Sequence, residues 1–310
     1  MIGSVGESLV DLIAVVEDGR LSGFRVRPGG SPYNLAVGVA RLGRQAAFIG
    51  RLSLDPLGRL LADHLAASGV HTSLAVDCPE PSALALVTSS AGEPAYDLRL
   101  EGTAAARLQP SDLAPALTAG LEALHFGSLG IALQPSREAI LWLCRQLAGR
   151  VFLSFDLNLR PEAVRDWDGY RAAVRECVRL ADLVRASTQD LEAWGDDLHG
   201  GVCTVVTQGA AGSRLIRGDL ALECPAAPCR VVDTVGAGDA YGAGLLVAFA
   251  EQGALSRQRL GELGKAGLER AMRFASAAAA LACERPGAEP PGRAEVDARL
   301  AAWASGKGGP

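Results

Sequence analysis

Short apolar runs alternate along this chain with longer stretches in which apolar positions recur every three or four residues. The runs at 123–126, 151–155 and 183–186 have the length and composition of strands that are buried on both faces. The stretches at 135–147 and 170–180 have the period of helices that bury one side. Because parallel strands need long crossover connections, this alternation predicts an α/β protein with a mainly parallel central sheet. Further strands are predicted at 2–5, 46–49, 84–88, 202–207 and 213–216, and further helices at 35–42, 57–68, 240–250 and 268–281.

Two segments depart from this rhythm. Residues at about 12–28 and 82–102 are rich in β-formers and turn signals and have little helical period. We expect them to form a small antiparallel β-sheet, a lid over the main sheet. No long low-complexity linker divides the rest, so residues 1–310 are predicted to form a single domain with the lid segments inserted in it.

Composition and charge narrow the range of functions. The chain has 310 residues, of which 49% are hydrophobic, and a net charge of −5. An acidic chain lacks the basic field of a dedicated nucleic-acid binder, and no uncharged apolar run reaches the ~18 residues that a membrane span needs. The seven cysteines are odd in number and scattered, which predicts reduced thiols rather than a disulfide framework. Because no signal-peptide pattern is present, we expect a cytoplasmic protein with neither a nucleic-acid nor a membrane partner.

The strongest candidate chemistry lies at 233–244, in the run DTVGAGDAYGAG. Gly236 and Gly238 permit a tight turn with no Cβ in the way, and an apolar helix is predicted directly afterwards. The free N–H groups of a helix start bind anions, and a carboxylate there, Asp239, is poised to accept a proton from an alcohol. The spacing is neither G-x-G-x-x-G nor a P-loop, so neither a dinucleotide site nor a Walker-type nucleotidase is indicated. On these residues alone, an ordinary glycine turn with an aspartate cap is an equal alternative.

A second motif stands near the start of the chain, GGSPYNLA at 29–36, leading to Leu42-Gly43. Together the two motifs resemble the two signatures of the ribokinase-like (PfkB) carbohydrate kinase family, in the family's order, and the resemblance covers nearly the whole chain. It implies a three-layer α/β/α fold with a mainly parallel sheet and a small β-sheet lid. It also implies an ATP-dependent kinase that transfers the γ-phosphate to a small sugar.

The resemblance assigns roles within the 233–244 run. Asp239 would be the catalytic base and would also contact the sugar hydroxyl that it deprotonates. The backbone of Gly236, Ala237 and Gly238 would form an anion hole for the migrating phosphoryl group. Asp233 resembles the aspartate of the family's monovalent-cation site, which predicts K⁺ there with carbonyls near residues 282, 285 and 287 as weaker candidate partners.

On the substrate side, Asp11 and Asn34 resemble the aspartate and asparagine that bind sugar hydroxyls, beside the turn at Gly30. A carboxylate and an amide can accept from and donate to adjacent hydroxyls. The run DLNLRP at 156–161 follows a predicted parallel strand, where ligands bind in open α/β sheets. Its Arg160 is a candidate for holding a phosphate or a substrate carboxylate. Each of these residues also has an ordinary structural explanation, such as a helix cap or a solvated loop side chain.

Two lid residues, Tyr96 and Arg99, are further substrate-contact candidates, although a solvated lid face is an equal interpretation. The four histidines form no cluster along the chain, and none is predicted to be catalytic. The resemblance also predicts a homodimer that forms through the lid.

The STQD segment at 187–190 resembles the family's S/N-x-x-E/D segment, whose acid approaches the Mg²⁺–phosphate region. Asp190 would therefore contact Mg²⁺ through water, which Mg²⁺ usually retains. The TQGAAG turn at 207–212 resembles the turn that lines the nucleotide, for which a plain β-turn is the alternative. The predicted nucleotide-binding residues are Ser187, Thr207, Gly209, Gly212, Gly238 and Ser276.

The substrate is less specified than the reaction. The segments at 6–11, 156–161 and 275–291 resemble bacterial fructokinase-like members, which favours fructose phosphorylated on a primary hydroxyl. The alternatives are 2-keto-3-deoxygluconate, whose carboxylate Arg99 and Arg160 would bind, then ribose and a nucleoside. A non-catalytic sugar sensor would be expected to lack Asp239, and a pure nucleotide-binding module would not need polar groups at Asp11 and Asn34.

Overall fold

A computed structural model describes residues 1–90, 93–195, 198 and 203–305. The strands of the described residues are β1 Ile2–Val5, β2 Leu9–Glu17, β3 Arg20–Gly29, β4 Ala46–Ile49, β5 Arg51–Ser53, β6 Val76–Cys78, β7 Ala83–Ser90, β8 Glu93–Arg99, β9 Ala123–Gly127, β10 Phe152–Asp156, β11 Leu183–Ser187, β12 Cys203–Thr207, β13 Ser213–Arg217 and β14 Leu220–Cys224. The α-helices are α1 Ser31–Arg41, α2 Pro56–Ala67, α3 Pro110–Leu113, α4 Ser128–Ala132, α5 Ser136–Leu147, α6 Trp167–Leu180, α7 Thr188–Trp194, α8 Ala237–Glu251, α9 Arg257–Glu262, α10 Lys265–Cys283 and α11 Arg293–Ala304.

The main sheet has eight strands in the order β14-β13-β12-β11-β10-β9-β1-β4. The six strands from β12 to β4 are parallel, and β13 and β14 continue the sheet in antiparallel fashion. The predicted α/β architecture with a mainly parallel sheet is therefore confirmed. None of the helices in the described part of the chain has both the length and the apolar content that crossing a bilayer requires.

Alternation along the strands fills a separate apolar core on each face of this sheet. Ile2, Phe152 and Leu183 face the core formed with α1, α8 and α10, whereas Leu153 and Val184 face the core formed with α5 and α6. Helix α8 is buried from Asp239 to Phe249, which explains why its sequence is apolar on all sides. The first turn of α8 is thus packed between α1 and the sheet.

The second sheet has four strands in the order β3-β2-β7-β8. These strands lie in the predicted lid segments, and we call this sheet the lid. The sheet is mixed rather than antiparallel as predicted, because its two hairpins are joined by parallel pairing of β2 with β7. Its outer strand carries exposed apolar side chains, with Leu21 at 59% and Phe24 at 39% exposure. That residues 1–310 make a single kinase domain stays a prediction.

Both motif helices begin earlier than their apolar periods predict. Helix α1 begins at Ser31 rather than at 35, with Pro32 in its first turn, where the missing N–H of proline costs nothing. Helix α8 begins at Ala237 rather than at 240. Helix α11 is absent from the predicted helices, although Val296, Leu300 and Trp303 recur at helical spacing, and it fully buries only Val296. As a result, Ser31, Asn34 and Asp239 lie inside first helical turns, and the two turns meet.

Candidate active site

Asp239 lies where the two motifs meet. Its side chain is in the first turn of α8 and is 8% exposed. Ser31 Oγ donates a hydrogen bond to Oδ1 over 2.7 Å, and Asn34 Nδ2 donates to Oδ2 over 2.9 Å. Each carboxylate oxygen keeps a second lone-pair direction. Asp239 is therefore held in one orientation and can still accept a proton.

The charge state of Asp239 is set by opposing effects. Burial raises the pKa of this carboxyl above its ordinary value. The hydrogen bonds from Ser31 and Asn34 lower the pKa, and so do the positive charges of Arg185 and Arg160. A base whose pKa is moved toward neutrality is better matched to proton transfer than an ordinary solvated aspartate.

The glycine turn before Asp239 presents free amides. Gly236 has a φ of 76°, and a Cβ there would lie 2.7 Å from Ala288 Cα, so a side chain is excluded on two grounds. The Ala237 amide donates to Thr234 O over 3.2 Å. Within the described residues, the amides of Gly236, Gly238 and Asp239 have no protein acceptor. An anion at this helix start would meet those three amides and the positive end of the helix dipole.

Asp233 fastens this turn to a later loop. Its Oδ1 accepts from the Val235 amide over 3.0 Å, and its Oδ2 accepts from the Gly287 amide over 2.8 Å. The Asp233 amide itself donates to Cys283 O. Asp233 thus lies against the segment around 282–287 that was expected to share a cation with it, and the carboxylate and nearby carbonyls are oxygen donors suited to K⁺.

Asp11 lies across the cleft on strand β2, with its carboxylate against the Gly29 backbone. Burial and the negative charges of Asp239 and Asp233 raise the pKa of Asp11 to about 7. No group of the described residues donates a hydrogen bond to it. An unengaged carboxylate that shares the field of Asp239 is a suitable acceptor for substrate hydroxyls.

Glu7 is a buried acid beneath the first motif that the sequence did not single out. Its two oxygens accept from the Ser31 amide over 3.3 Å and the Gly130 amide over 3.1 Å. Burial raises the pKa of Glu7 to about 7. Gly30 has a φ of 106°, and a Cβ there would lie 2.7 Å from Glu7 O. Glu7 therefore fixes the start of α1 rather than touching the cleft.

The predicted DLNLRP segment follows β10 at the carboxyl edge of the sheet. Asp156, its first residue, is buried and forms an ion pair with Arg185 on the neighbouring strand β11. Burial raises the pKa of Asp156 to about 7, against the opposing charge of Arg185. Arg160 is exposed, and its guanidinium donates to Leu159 O. The positive charge of Arg160 lowers the pKa of Asp239, so the two residues interact electrostatically, although they share no hydrogen bond.

Arg99 is not brought to this cluster. It pairs across the lid with Leu84, whereas Asp11 pairs with Ala85, so the two side chains lie on opposite faces of the lid. The Arg99 guanidinium is exposed and donates to Asp97 over 2.6 Å. The side chain of Tyr96 lies outside the described residues. A substrate contact by Arg99 stays a prediction, and no contact among the described residues supports it.

The predicted nucleotide side lies at the carboxyl ends of β11 and β12, where Ser187 and Thr207 are register partners. Ser187 caps α7 in a reciprocal box with Asp190. Asp190 is buried, and its oxygens accept from the Ser187 amide and hydroxyl and from the Leu159 amide. Asp190 therefore already ties α7 to the loop after β10, and its water-mediated Mg²⁺ contact stays a prediction.

The remaining predicted nucleotide residues have different surroundings. A Cβ on Gly209 would meet nothing within 4 Å, whereas one on Gly212 would lie 2.1 Å from Cys224 O. Gly209 thus borders open space, and Gly212 is required for the turn itself. Ser276 is buried, with its hydroxyl bonded to the Ala227 amide and Pro225 O. It stabilises that loop, and its contact with a nucleotide stays a prediction.

Three residues of the site were missed or undervalued by sequence reasoning: Ser31, Glu7 and Arg185. Ser31 stands inside the quoted GGSPYN motif, so a signal was present. Glu7 and Arg185 are single charged residues in apolar surroundings, and a charge at a predicted buried position is the one signal that would have marked them.

The start of α8 has free amides and carries a carboxylate fixed by two hydrogen bonds, at the carboxyl edge of a parallel sheet and beneath the lid. This arrangement is that of a phosphotransferase that acts on a hydroxyl group. Comparison with known proteins agrees. The sequence pattern of the pfkB family carbohydrate kinases matches residues 1–294. This chain belongs to that family and is an ATP-dependent sugar kinase.

Individual relatives support the same conclusion. A fructokinase of Klebsiella pneumoniae is 36% identical over 267 residues, covering 80% of this chain and 84% of the relative. A fructokinase of Rhizobium leguminosarum bv. trifolii is 33% identical over 275 residues, covering 85% and 84%. The solved fructokinase from Xylella fastidiosa with bound ATP superimposes with a TM-score of 0.90 at 27% identity, covering 98% of each chain. The ribokinase-like fold and the use of ATP are thereby confirmed.

Proposed function

We propose that this kinase phosphorylates fructose on a primary hydroxyl. The observation that carries the proposal is the pair of hydrogen bonds from Ser31 and Asn34 to Asp239, next to the free amides of the glycine turn. The choice of fructose draws on the relatives at 33% and 36% identity, which are named fructokinases. Hydroxyl patterns are distinguished by few groups, so substrate choice needs its own assay.

In the proposed reaction, the primary hydroxyl oxygen forms a bond to the γ-phosphorus while the bond from that phosphorus to the ADP oxygen breaks. The hydroxyl proton passes to Asp239. The amides of Gly236, Gly238 and Asp239 meet the charge that develops on the phosphoryl oxygens. Because Ser31 and Asn34 already donate to Asp239, the base needs little reorganisation at the moment of transfer.

The sugar would be oriented by groups that the protein leaves free. Asn34 uses its Nδ2 on Asp239, so its Oδ1 remains to accept from a sugar hydroxyl. Asp11 accepts from a second hydroxyl. Arg160, whose positive charge acts on Asp239, would be available to hold a phosphate or a substrate carboxylate.

Two cations complete the proposal. Mg²⁺ would neutralise phosphate charge, and Asp190 would reach its water shell from the start of α7. A monovalent cation, K⁺, would bind at Asp233 beside the loop around 282–287, where it would stiffen the glycine turn.

The decisive experiment combines one variant with a sugar panel. Asp239→Asn removes the base but keeps shape and both hydrogen-bonding neighbours, so kcat should fall by ~10²–10⁴-fold while ATP binding is kept. The matched control is Asp182→Asn, a buried aspartate that accepts from the Leu153 amide before β11, at the opposite edge of the sheet. Its turnover should stay within a few fold of wild type.

The panel consists of fructose, 2-keto-3-deoxygluconate, ribose and adenosine, each with ATP. Fructose should have the highest kcat/KM. A higher kcat/KM for another sugar would show that fructose is not the preferred substrate. An Asp239→Asn enzyme with turnover within about tenfold of wild type would show that Asp239 is not the base.

A homodimer through the lid is part of the proposal. Phe24 and Val26 pair with Ala14 and Leu12 on the face opposite Asp11, and this apolar face is exposed. Burying it against a second copy would remove apolar area from water. Phe24→Glu should shift the enzyme from dimer to monomer in analytical ultracentrifugation. A wild-type enzyme that is monomeric at micromolar concentration would contradict this.

The expected compartment is the cytoplasm. The seven cysteines all lie within the described residues and are unpaired, five of them buried. Reduced, buried thiols are typical of a reducing compartment.

A further inference from the structure

Arg185 is a buried cation directly behind the candidate active site. It lies in the middle of β11 and is 6% exposed. Its Nη2 forms an ion pair with Asp156, its register partner on β10. Guanidinium groups stay charged in proteins, so this position carries a permanent positive charge inside the fold.

The guanidinium packs beneath the first turns of α8. A Cβ placed on Gly238 would lie 3.2 Å from Nη1 and 3.4 Å from Nη2 of Arg185, and one on Gly242 would lie 3.5 Å from Nε. Positions 238 and 242 are one helical turn apart and share a face. Both glycines therefore make room for the same side chain. The Nε atom is buried and has no hydrogen-bond partner among the described residues, so the arginine is held there by packing and by Asp156.

The charge of Arg185 acts on the proposed base. It lowers the pKa of Asp239 and of Asp156, against the effect of burial. The other groups that face Asp239 are Ser31 and Asn34 from α1, Arg160 from the loop after β10, Asp11 from β2, and Asp156 from β10, whose negative charge opposes that of Arg185.

Two further ring groups face Arg185 itself. His125 on β9 has its pKa lowered to about 3 by burial and by Arg185, so it adds no competing positive charge. Burial raises the pKa of Tyr241 on α8, which stays neutral. Of these three groups, only Arg185 carries a charge beside the start of α8.

We propose that Arg185 is a positioning residue for phosphoryl transfer: packed beneath Gly238 and Gly242 and held by Asp156, it supports the glycine turn and places a positive charge behind Asp239. The inference rests on the proposed role of Asp239 as base. Arg185 does not reach the reacting atoms. It acts through α8 and through its field.

The test compares pH profiles of kcat/KM for fructose. Arg185→Met keeps much of the side-chain volume and removes the charge, so the acidic limb should move upward by about one pH unit or more, with the largest loss at low pH. Arg185→Lys keeps the charge and should return the limb close to its wild-type position, with a reduced kcat. Asp156→Asn removes the opposing negative charge and should move the limb downward.

A purely structural role predicts a different pattern. The proposed electrostatic effect of Arg185 is overturned if Arg185→Met loses activity by the same factor at every pH. It is also overturned if Arg185→Met and Asp156→Asn shift the acidic limb in the same direction. These outcomes are distinct from failure of the proposed function. An active Asp239→Asn enzyme would overturn the base, whatever the Arg185 variants do.

A second measurement covers the case in which Arg185→Met does not fold. Gly238→Ala brings a methyl group to 3.2 Å from Arg185 Nη1. Its cost in kcat should be about tenfold smaller in an Arg185→Lys background, because the slimmer amine leaves space beneath the turn. Equal losses in the two backgrounds would show that Arg185 does not support the turn, and the proposal would be wrong.

Discussion

The starts of helices α1 and α8 are in contact and resemble each other in sequence, yet their backbone amides are engaged differently. Each follows a glycine with positive φ, 106° at Gly30 and 76° at Gly236, and neither has a side-chain cap at that glycine. At α1, the Ser31 amide is taken by buried Glu7, and Pro32 has no N–H. At α8, the amides of Gly236 and Gly238 have no acceptor among the described residues.

The difference assigns the two sides of the reaction. Because the Ser31 amide is engaged and Pro32 has no N–H, the start of α1 offers fewer amides to an anion than the start of α8 does, and it contributes the side chains of Ser31 and Asn34, which orient the Asp239 carboxylate. The start of α8 keeps free backbone donors, so in the proposed reaction α8 would receive the phosphoryl group. A glycine turn before a helix is therefore not itself an anion site, because the fate of its amides decides its function.

The largest effect is expected when one methyl group is added to each of the two glycine turns. In Gly236→Ala, the Cβ would lie 2.7 Å from Ala288 Cα and φ would be unfavourable, so the free amides should move. Because loss of one such donor costs ~10²–10³-fold in kcat, we expect a loss of at least that size. Gly30→Ala, whose Cβ would lie 2.7 Å from Glu7 O, should displace Ser31 and Asn34, so it should lower kcat by a smaller factor and also raise the KM for sugar.

Steady-state kinetics with each substrate varied would separate the two effects, with thermal melting to check that both variants fold. If Gly30→Ala lowers kcat with an unchanged sugar KM, while Gly236→Ala affects sugar binding, the two starts are not divided as described here.

A smaller effect is expected from the side chains that α1 supplies. Ser31→Ala and Asn34→Ala each remove one hydrogen bond to the Asp239 carboxylate. A hydrogen bond to a charged group contributes about 1.5–3 kcal/mol, so kcat should fall by about 10–100-fold in each. Only Asn34→Ala should also raise the sugar KM. Both should move the acidic limb of the rate profile to higher pH, because the carboxylate form loses a donor; an unchanged limb would contradict the assigned contacts.

The smallest effect concerns stability. The pKa of Glu7 is about 7 in the fold and 4.5 as an ordinary value, so the folded state binds more protons between these limits. The free energy of unfolding should therefore fall as pH rises through this window, by up to about 3 kcal/mol from this group. Glu7→Gln cannot titrate and should flatten that slope, measured by urea unfolding at pH 5 and pH 8.

The control for Glu7 is Glu122→Gln. Glu122 is paired with the N-terminal amine and Arg44, which lower its pKa, so it contributes stability that is present above its ordinary pKa. Its removal should make the fall with pH slightly steeper. A flatter slope in this control would mean that the pH dependence does not come from Glu7.

Much of this molecule was predictable from local pattern. Strands β1 and β4 have the predicted bounds, because a short apolar run between turn signals leaves few alternatives. The roles proposed for Asp239 and Asn34 come from the resemblance of their motifs, and the structure brings the two side chains into contact. The contacts of Ser31 and Glu7 did not, since Ser31 and Asp239 are 208 residues apart, and Glu7 and Gly130 are 123 apart. Arg99 shows the converse: its lid position was predicted, but strand register placed it on the face away from Asp11.

By itself, the sequence determined the alternation of strands and helices and the positions of the two glycine turns, because both depend on side-chain period and on backbone freedom within a few residues. The tertiary structure alone decided which helix start remains open and which charge lies beneath it. Hydrogen bonds and ion pairs between distant segments make that decision, and they exist only once the strands have taken their order in the sheet.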